Sequence, residues 1–173
     1  MLIGAGAYIF CQSILPGLGG ISKNAQLTVP LTGCQAQEDR PFEADLLRMI
    51  NAERRSQGVP GLTSDPKLDL AAQSHSRDMG CRHFFSHTNL EGQSIYDRIK
   101  TQGYVYSSAA EVIFAGSGDL DSPRGAFNAW LESSEYKAHL LDPAFTQVGL
   151  GAVHNPAGVF SGYFTVVFAS PAH

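Results

Sequence analysis

Between Phe42 and Gln57 the apolar residues Phe42, Leu46, Leu47 and Ile50 recur at the three- and four-residue steps of a helix, and Gly58 with Pro60 supplies its stop. A second helix is predicted from Asp65, an N-cap followed by Pro66 at the first helical position, through Leu68, Ala71, Ala72, His75 and Met79 to Gly80. Residues Arg82 to Gln93 carry no sustained period and read as a loop anchored by Phe84 and Phe85. Ser94 then caps a short helix from Ile95 to about Lys100, closed by Gly103. Tyr104 to Ala115 is irregular or strand-like around Val112-Ile113-Phe114 and breaks at Gly116-Ser117-Gly118-Asp119. Ser122-Pro123 opens a helix holding Phe127, Trp130 and Leu131, and Ser133 or Ser134 restarts helix through Leu140-Leu141. The β-rich runs Gln147 to His154 and Val159 to Ala169, separated by Asn155-Pro156-Ala157-Gly158, predict an antiparallel hairpin with a four-residue turn. Helices first and a hairpin last make an α+β layer structure, with helices packed on an antiparallel sheet.

With 173 residues there is room for one well-buried domain plus extras. Twelve Lys+Arg stand against sixteen Asp+Glu, a formal charge of −4, and no basic run exceeds Arg54-Arg55. That balance argues against a nucleic-acid partner. The charges are unevenly spread, Lys23 being the sole Asp, Glu, Lys or Arg in residues 1 to 37. The apolar stretch Met1 to Leu15 ends at Pro16-Gly17-Leu18-Gly19-Gly20, short of the roughly 20 residues that span a bilayer, and fits the apolar region of an export signal, although the usual basic start is missing. Leu31-Thr32-Gly33-Cys34 is similar to the lipobox of bacterial lipoproteins, which makes Cys34 a candidate for lipidation; ordinary cleavage nearby, retained anchoring and a chance match stay open. Residues 1–40 are therefore expected to be a leader and linker, with Gln35 to Arg40 as the polar linker, and 41–173 the folded domain. The expected location is extracytoplasmic, secreted or membrane-anchored, with membrane contact limited to the leader or a lipid. If Cys34 survives processing and is not acylated, it can pair with Cys81; otherwise Cys81 is a buried free thiol.

Taken in order, several segments resemble the CAP superfamily (cysteine-rich secretory, antigen-five and pathogenesis-related proteins), in particular its bacterial SCP-like branch. They are Leu47-x-x-Ile50-Asn51-x-x-Arg54 with Gly58 to Leu62, Leu68-x-x-Ala71-Ala72-x-x-His75-Ser76-x-Asp78-Met79, and Phe84-Phe85-Ser86-His87-Thr88. Gly92-x-Ser94-x-x-Asp97-Arg98-Ile99 with Gly103-Tyr104 follows, leading into Ala110-Glu111-Val112-Ile113. The resemblance implies a three-layer α-β-α sandwich with a central antiparallel sheet and a cleft near the histidine loop. It also implies two histidines and two acids converging there, able to hold a divalent metal such as zinc. His87 matches the first histidine and Glu111 the first glutamate. Ser133 stands where many members place the second acid, and Tyr163 where they place the second histidine in the last strand. In the bacterial form of the pattern Tyr136 replaces a histidine, with His139 one helical turn further on.

The expected cleft is therefore lined by His87, Glu111, Tyr136, His139 and Tyr163, with His87 and Glu111 as the candidate metal ligands. No cofactor is required. A catalytic zinc needs about three protein ligands, and the bland reading of His87 with Glu111 is a hydrogen-bonded pair that pins the loop. The i, i+4 spacing of His83 and His87 falls in a loop rather than a helix. Ser86 lacks a glycine elbow and Cys81 has no activating base besides the nearby histidines, so nucleophilic catalysis has little support. The first reading is thus a non-catalytic binding or interaction module whose ligand is a small molecule, a lipid, an envelope component or a protein. The alternative is a metal-assisted hydrolase or protease with Glu111 as base and His87, and His139 after it, as ligands.

Overall fold

The computed structural model describes residues 8–12 and 33–172. In chain order these form β1 (Tyr8–Gln12), β2 (Gln37–Glu38), α1 (Arg40–Ser56), β3 (Thr63–Ser64), α2 (Pro66–Arg82) and α3 (Ile95–Thr101). There follow β4 (Tyr106–Gly116), a 3-10 turn at Gly118–Leu120, α4 (Pro123–Glu132), α5 (Ser134–Leu141), β5 (Gln147–His154) and β6 (Gly162–Pro171). The sheet has the order β1-β4-β6-β5-β2 with antiparallel neighbours, and β3 adds a two-residue parallel pairing on β5. Most of the expected leader, Leu31 and Thr32 included, lies outside the described residues. Within it, the backbone of Tyr8–Gln12 runs beside β4, with Tyr8 opposite Ala115 and Gln12 opposite Glu111.

Strand alternation sorts the sheet residues onto two faces. Ala110, Val112 and Phe114 of β4 join Leu150, Ala152, Phe164, Val166 and Phe168 against α1, α4 and α5, where Phe42, Ile50, Trp130 and Leu140 fill the layer. Ala109, Val167 and Ala169 point the other way, onto Leu68, Ala71 and Ala72 of α2 and Ile95 and Ile99 of α3. The result is the α-β-α sandwich that the resemblance implied. On the first face the guanidinium of Arg54, wholly buried, donates to the carbonyls of Pro60 (2.8 Å), Leu140 (2.7 Å), Asp142 (3.1 Å) and Phe145 (3.0 Å). One side chain thereby ties the exit of α1 to the end of α5 and the loop that follows.

The second face is built on a closer contact. A Cβ on Gly149 would lie 2.1 Å from the Leu68 carbonyl carbon, and one on Gly151 2.5 Å from that of Ala72, so the backbone of α2 rests directly on β5. The Ser76 hydroxyl reaches the Gly151 carbonyl (2.9 Å) and the Thr165 hydroxyl (2.8 Å) across this seam.

Four expectations are corrected in detail. Residues expected to be a linker are part of the folded body: Gln37–Glu38 pairs with β5, and the Asp39 carboxylate caps α1 by accepting from the Phe42 N–H at 2.9 Å. Helix α2 passes through Gly80, whose missing side chain makes room for the Tyr163 ring, and stops at His83, which takes the left-handed conformation at φ 56°. Tyr106–Gly116 is a continuous strand, because it pairs along nearly its whole length with β6. The hairpin connection extends over residues 155–161, since Asn155 accepts from the Ala157 and Gly158 N–H groups and Ser161 turns aside to donate to Asp121 at 2.6 Å.

Because the α2 backbone leaves no space at the seam, Gly151→Ala should destabilise the protein by about 1–3 kcal/mol through overpacking. Urea unfolding followed by circular dichroism measures this. A midpoint equal to wild type would mean that α2 can lift from the sheet without cost.

Candidate functional site

The loop between α2 and α3 folds back on the sheet because its polar groups are tied locally. The Asn89 carboxamide oxygen accepts from the Gln93 N–H (2.7 Å), the Asn89 carbonyl accepts from the Gly92 N–H (2.9 Å), and Gly92 takes φ 81°. Ser94 and Asp97 then form a reciprocal capping box that fixes the start of α3. One residue on from Asp97, Arg98 shares the buried face of this helix with Ile95 and Ile99.

Four side chains converge beneath the loop. Glu111, fully buried on β4, receives the His87 Nδ1–H on Oε1 at 2.8 Å and the Arg98 guanidinium on Oε2 at 2.6 Å. Arg98 also donates to the carbonyls of His87 (2.9 Å) and Gln93 (3.1 Å), so it holds the carboxylate and the loop backbone together. His75, from α2, donates Nε2–H to the Ser86 carbonyl at 2.8 Å and stands 4.0 Å from Glu111 Oε1. The Nδ1 of His75 and the Nε2 of His87 are buried without a hydrogen-bond partner. Burial pushes the His75 imidazole down to about 4, beyond what the facing carboxylate restores. Burial alone would raise Glu111, but His75, Arg98 and the His87 N–H together outweigh it and hold the carboxyl at about 2.

The expected cleft lining is only partly brought together. His87 and Glu111 meet; Tyr136, His139 and Tyr163 do not join them. Tyr136 lies in the hydrophobic layer on the opposite side of the sheet, among the α1, α4 and α5 residues. His139 is on that same helix, its ring 6.5 Å from Phe145, and burial lowers its pKa. Both belong to α5, which packs on the far face, so their projection toward His87 is corrected. Tyr163 does share the Glu111 face, yet it pairs with Ala115, whereas Glu111 pairs with Val167. Four residues of strand separate the two positions, about 13 Å. Its ring packs with Met79 and Ile113, and its hydroxyl accepts from the Phe160 N–H at 3.2 Å.

Glu111 has no uncommitted oxygen to offer a metal ion, whereas the Nδ1 of His75 and the Nε2 of His87 keep their lone pairs. A cation bound at Glu111 would sit beside the Arg98 guanidinium. Among the described residues no group of three or more His, Cys, Asp or Glu side chains is arranged to hold a metal. Cys34 is bonded to Cys81, which occupies the sulfur that a thioether lipid would need. The two fates of Cys34 are mutually exclusive, and the disulfide is the one in the structure. Sequence reasoning missed His75 and Arg98 as members of the cluster. Each is a polar residue set into the apolar stripe of a helix, His75 among Leu68, Ala71, Ala72 and Met79, and Arg98 between Ile95 and Ile99. That intrusion was the available signal.

Residues 47–168 match the family model described as cysteine-rich secretory protein family. The Bacillus subtilis protein YkwD is 32% identical over 114 residues, 66% of this chain and 43% of that protein. The Bacillus subtilis membrane protein YlbC is 29% identical over 109 residues, 63% of this chain and 31% of that protein. The chain thus spans less than half the length of either curated relative. Among solved structures, an extracellular protein containing an SCP domain from Bacillus anthracis aligns with a TM-score of 0.62 at 27% identity, over 73% of this chain and 39% of that one. An outer surface protein from Borrelia burgdorferi aligns with a TM-score of 0.72 at 19% identity, over 80% of this chain and 99% of that one, and shows the shared fold alone.

The buried cluster sets an acid limit on stability. His75 is depressed in the folded state, from 6.5 to about 4, so the unfolded chain binds more protons in that interval and stability falls as pH drops through it. Glu111, depressed from 4.5 to about 2, adds to the loss in the same direction at lower pH. Urea unfolding across this range should lose up to about 3 kcal/mol from the His75 step, and His75→Gln should flatten the upper part of the profile. A wild-type profile flat between pH 6.5 and 4 would contradict a neutral buried imidazole.

Proposed function

Since the chain belongs to the cysteine-rich secretory protein family, we propose that its domain serves outside the cytoplasm as a non-catalytic binding module. The observation that carries this reading is the state of Glu111. A general base needs a free carboxylate oxygen facing substrate or water, and here one oxygen accepts from His87 and the other from Arg98 inside the fold. The cluster works as a lock that holds the loop over the sheet, leaving the surface around it to contact a ligand. The ligand is a small molecule, a lipid, an envelope component or a protein. The hydrolase alternative asks Glu111 to release a partner and His139 to cross the sheet, and the packing of α5 opposes the second step.

An extracytoplasmic site is supported by the Cys34–Cys81 bond, because such disulfides persist in oxidising compartments. It is also supported by the Bacillus anthracis relative, which is described as extracellular. No helix among the described residues is long and apolar enough to cross a membrane. The bridge spans a sequence separation of 47, for which chain entropy gives about 4 kcal/mol of stabilisation.

Protein recovered from its native host should resist alkylation at Cys34 and Cys81 until reductant is added. Free thiols on protein held in the cytoplasmic fraction would refute the location, and a lipid on Cys34 would refute the disulfide. Wild type and Glu111→Gln should also give the same background rate on general peptide and ester substrates, with or without added zinc. Turnover that Glu111→Gln abolishes while the protein stays folded would promote the hydrolase.

A further inference from the structure

Beside the lock, residues of α2, the loop and α3 line an open cleft of about 310 Å³. That volume is at the small end of ligand sites. Its walls carry two cations, Arg77 and Arg98, and two acids, Asp78 and Glu91. All four are paired within the protein: Arg98 with Glu111 (2.6 Å), Arg77 with Glu38 (3.2 Å), and both Asp78 (3.2 Å) and Glu91 (2.6 Å) with Arg82. The cleft therefore offers a charged ligand no counter-charge that lacks a partner already.

The remaining lining groups are neutral and hold unused hydrogen-bonding capacity. The Ser74 hydroxyl donates to the Ala71 carbonyl and the Thr101 hydroxyl to the Asp97 carbonyl, which leaves the lone pairs of both oxygens available. The Asn89 amide spends one N–H on Gln93 and keeps the other, and Gln102 adds a further carboxamide at the rim. His75 lines the same cleft; its Nε2 is committed as a donor to Ser86, so Nδ1 carries a lone pair with no donor. Such a surface, neutral in sum and rich in acceptors with amide donors among them, matches groups that donate and accept at one atom. Hydroxyls do both.

We propose that the cleft between α2 and α3 is a carbohydrate site that takes a neutral, hydroxyl-rich sugar unit. This deepens the binding-module reading and rests on it. No Trp, Tyr or Phe lines the cleft to stack on a sugar face. Affinity for a single short glycan is accordingly weak.

The test is a nitrogen-15 NMR titration of the oxidised full chain with chitotriose and maltotriose as neutral probes and trigalacturonate as the charged one. Saturable shifts of the Asn89, Gln93 and Gln102 side-chain amides are expected with at least one neutral probe at millimolar concentration, and none with trigalacturonate. Ser74→Ala and Gln102→Ala, both toward the surface, should each weaken that binding about fivefold, one hydrogen bond's worth, with unchanged urea midpoints. Co-sedimentation with insoluble chitin and with starch then separates a polymer-bound source from a free sugar. Silence with both neutral probes overturns the carbohydrate site, as does a response to trigalacturonate at the same amides, although the latter leaves the binding-module reading standing. Cleavage of chitotriose that Glu111→Gln abolishes would overturn both.

Discussion

The arrangement depends on how near α2 comes to the sheet. At Gly149 and Gly151 the helix backbone takes the space that side chains would occupy, and any larger residue there has backbone, not a flexible side chain, as its neighbour. Close approach brings short polar side chains of α2 within reach of main-chain groups on β5. Asp69 accepts from the Leu150 N–H at 2.9 Å, Gln73 accepts from the Ala152 N–H at 3.1 Å, and Ser76 reaches the Gly151 carbonyl at 2.9 Å. From the other layer Glu43 accepts from the same Ala152 N–H at 3.1 Å. Strand β5 would otherwise offer an open edge between the short pairings with β2 and β3. Side chains finish what two-residue strands cannot cover.

The same placement explains why a histidine can be buried on α2. His75 is on the next turn after Ala71 and Ala72, on a helix already pressed to the sheet, and it points at the loop that follows its own helix. The Ser86 carbonyl accepts its one proton, and burial, which outweighs that bond and the facing carboxylate, keeps the ring neutral. Charge at the centre of the cluster is then carried by Glu111 and Arg98, with the His87 N–H filling the second carboxylate oxygen. A buried ion pair of this kind contributes little net stability relative to apolar packing, but removing one member strands the other. The cluster therefore acts mainly as a positional constraint on loop and strand.

What could be read from the sequence follows from where the information is stored. Helix periods and caps are local, so α1, α2 and the Ser94 cap were legible within a few residues, and the alternation of the final strands gave the hairpin. The Gly80 stop was misread because a helix glycine looks the same whether it ends a helix or admits a Tyr163 ring from a distant strand. The site was half legible. His87 and Glu111 meet as their motifs suggested, whereas Tyr136, His139 and Tyr163 were assigned to the cleft by position in a pattern. Which sheet face α4 and α5 cover shows in Trp130 of α4 packing on Phe114 and in Tyr136 and Leu140 of α5 lying buried in the same layer, a tertiary fact that spacing alone does not encode.

Arg98 joins the two halves of the functional argument. Its guanidinium is buried in the lock, bonded to Glu111 and to the carbonyls of His87 and Gln93, and the same residue forms part of the wall of the cleft. The cleft is thus bounded by groups whose positions are already fixed before a ligand arrives, with Asn89 and Gln93 held by their mutual bonds and α3 started by its capping box. A rigid wall lowers the ordering cost of binding. It also limits the chemistry: a fully buried carboxylate that accepts from two internal donors and is held at about 2 is a weak base, so the interactions that immobilise the cleft are the ones that withdraw Glu111 from acid–base work. On this geometry, precision in binding and availability for catalysis draw on the same oxygen atoms, and the fold has committed them to the first.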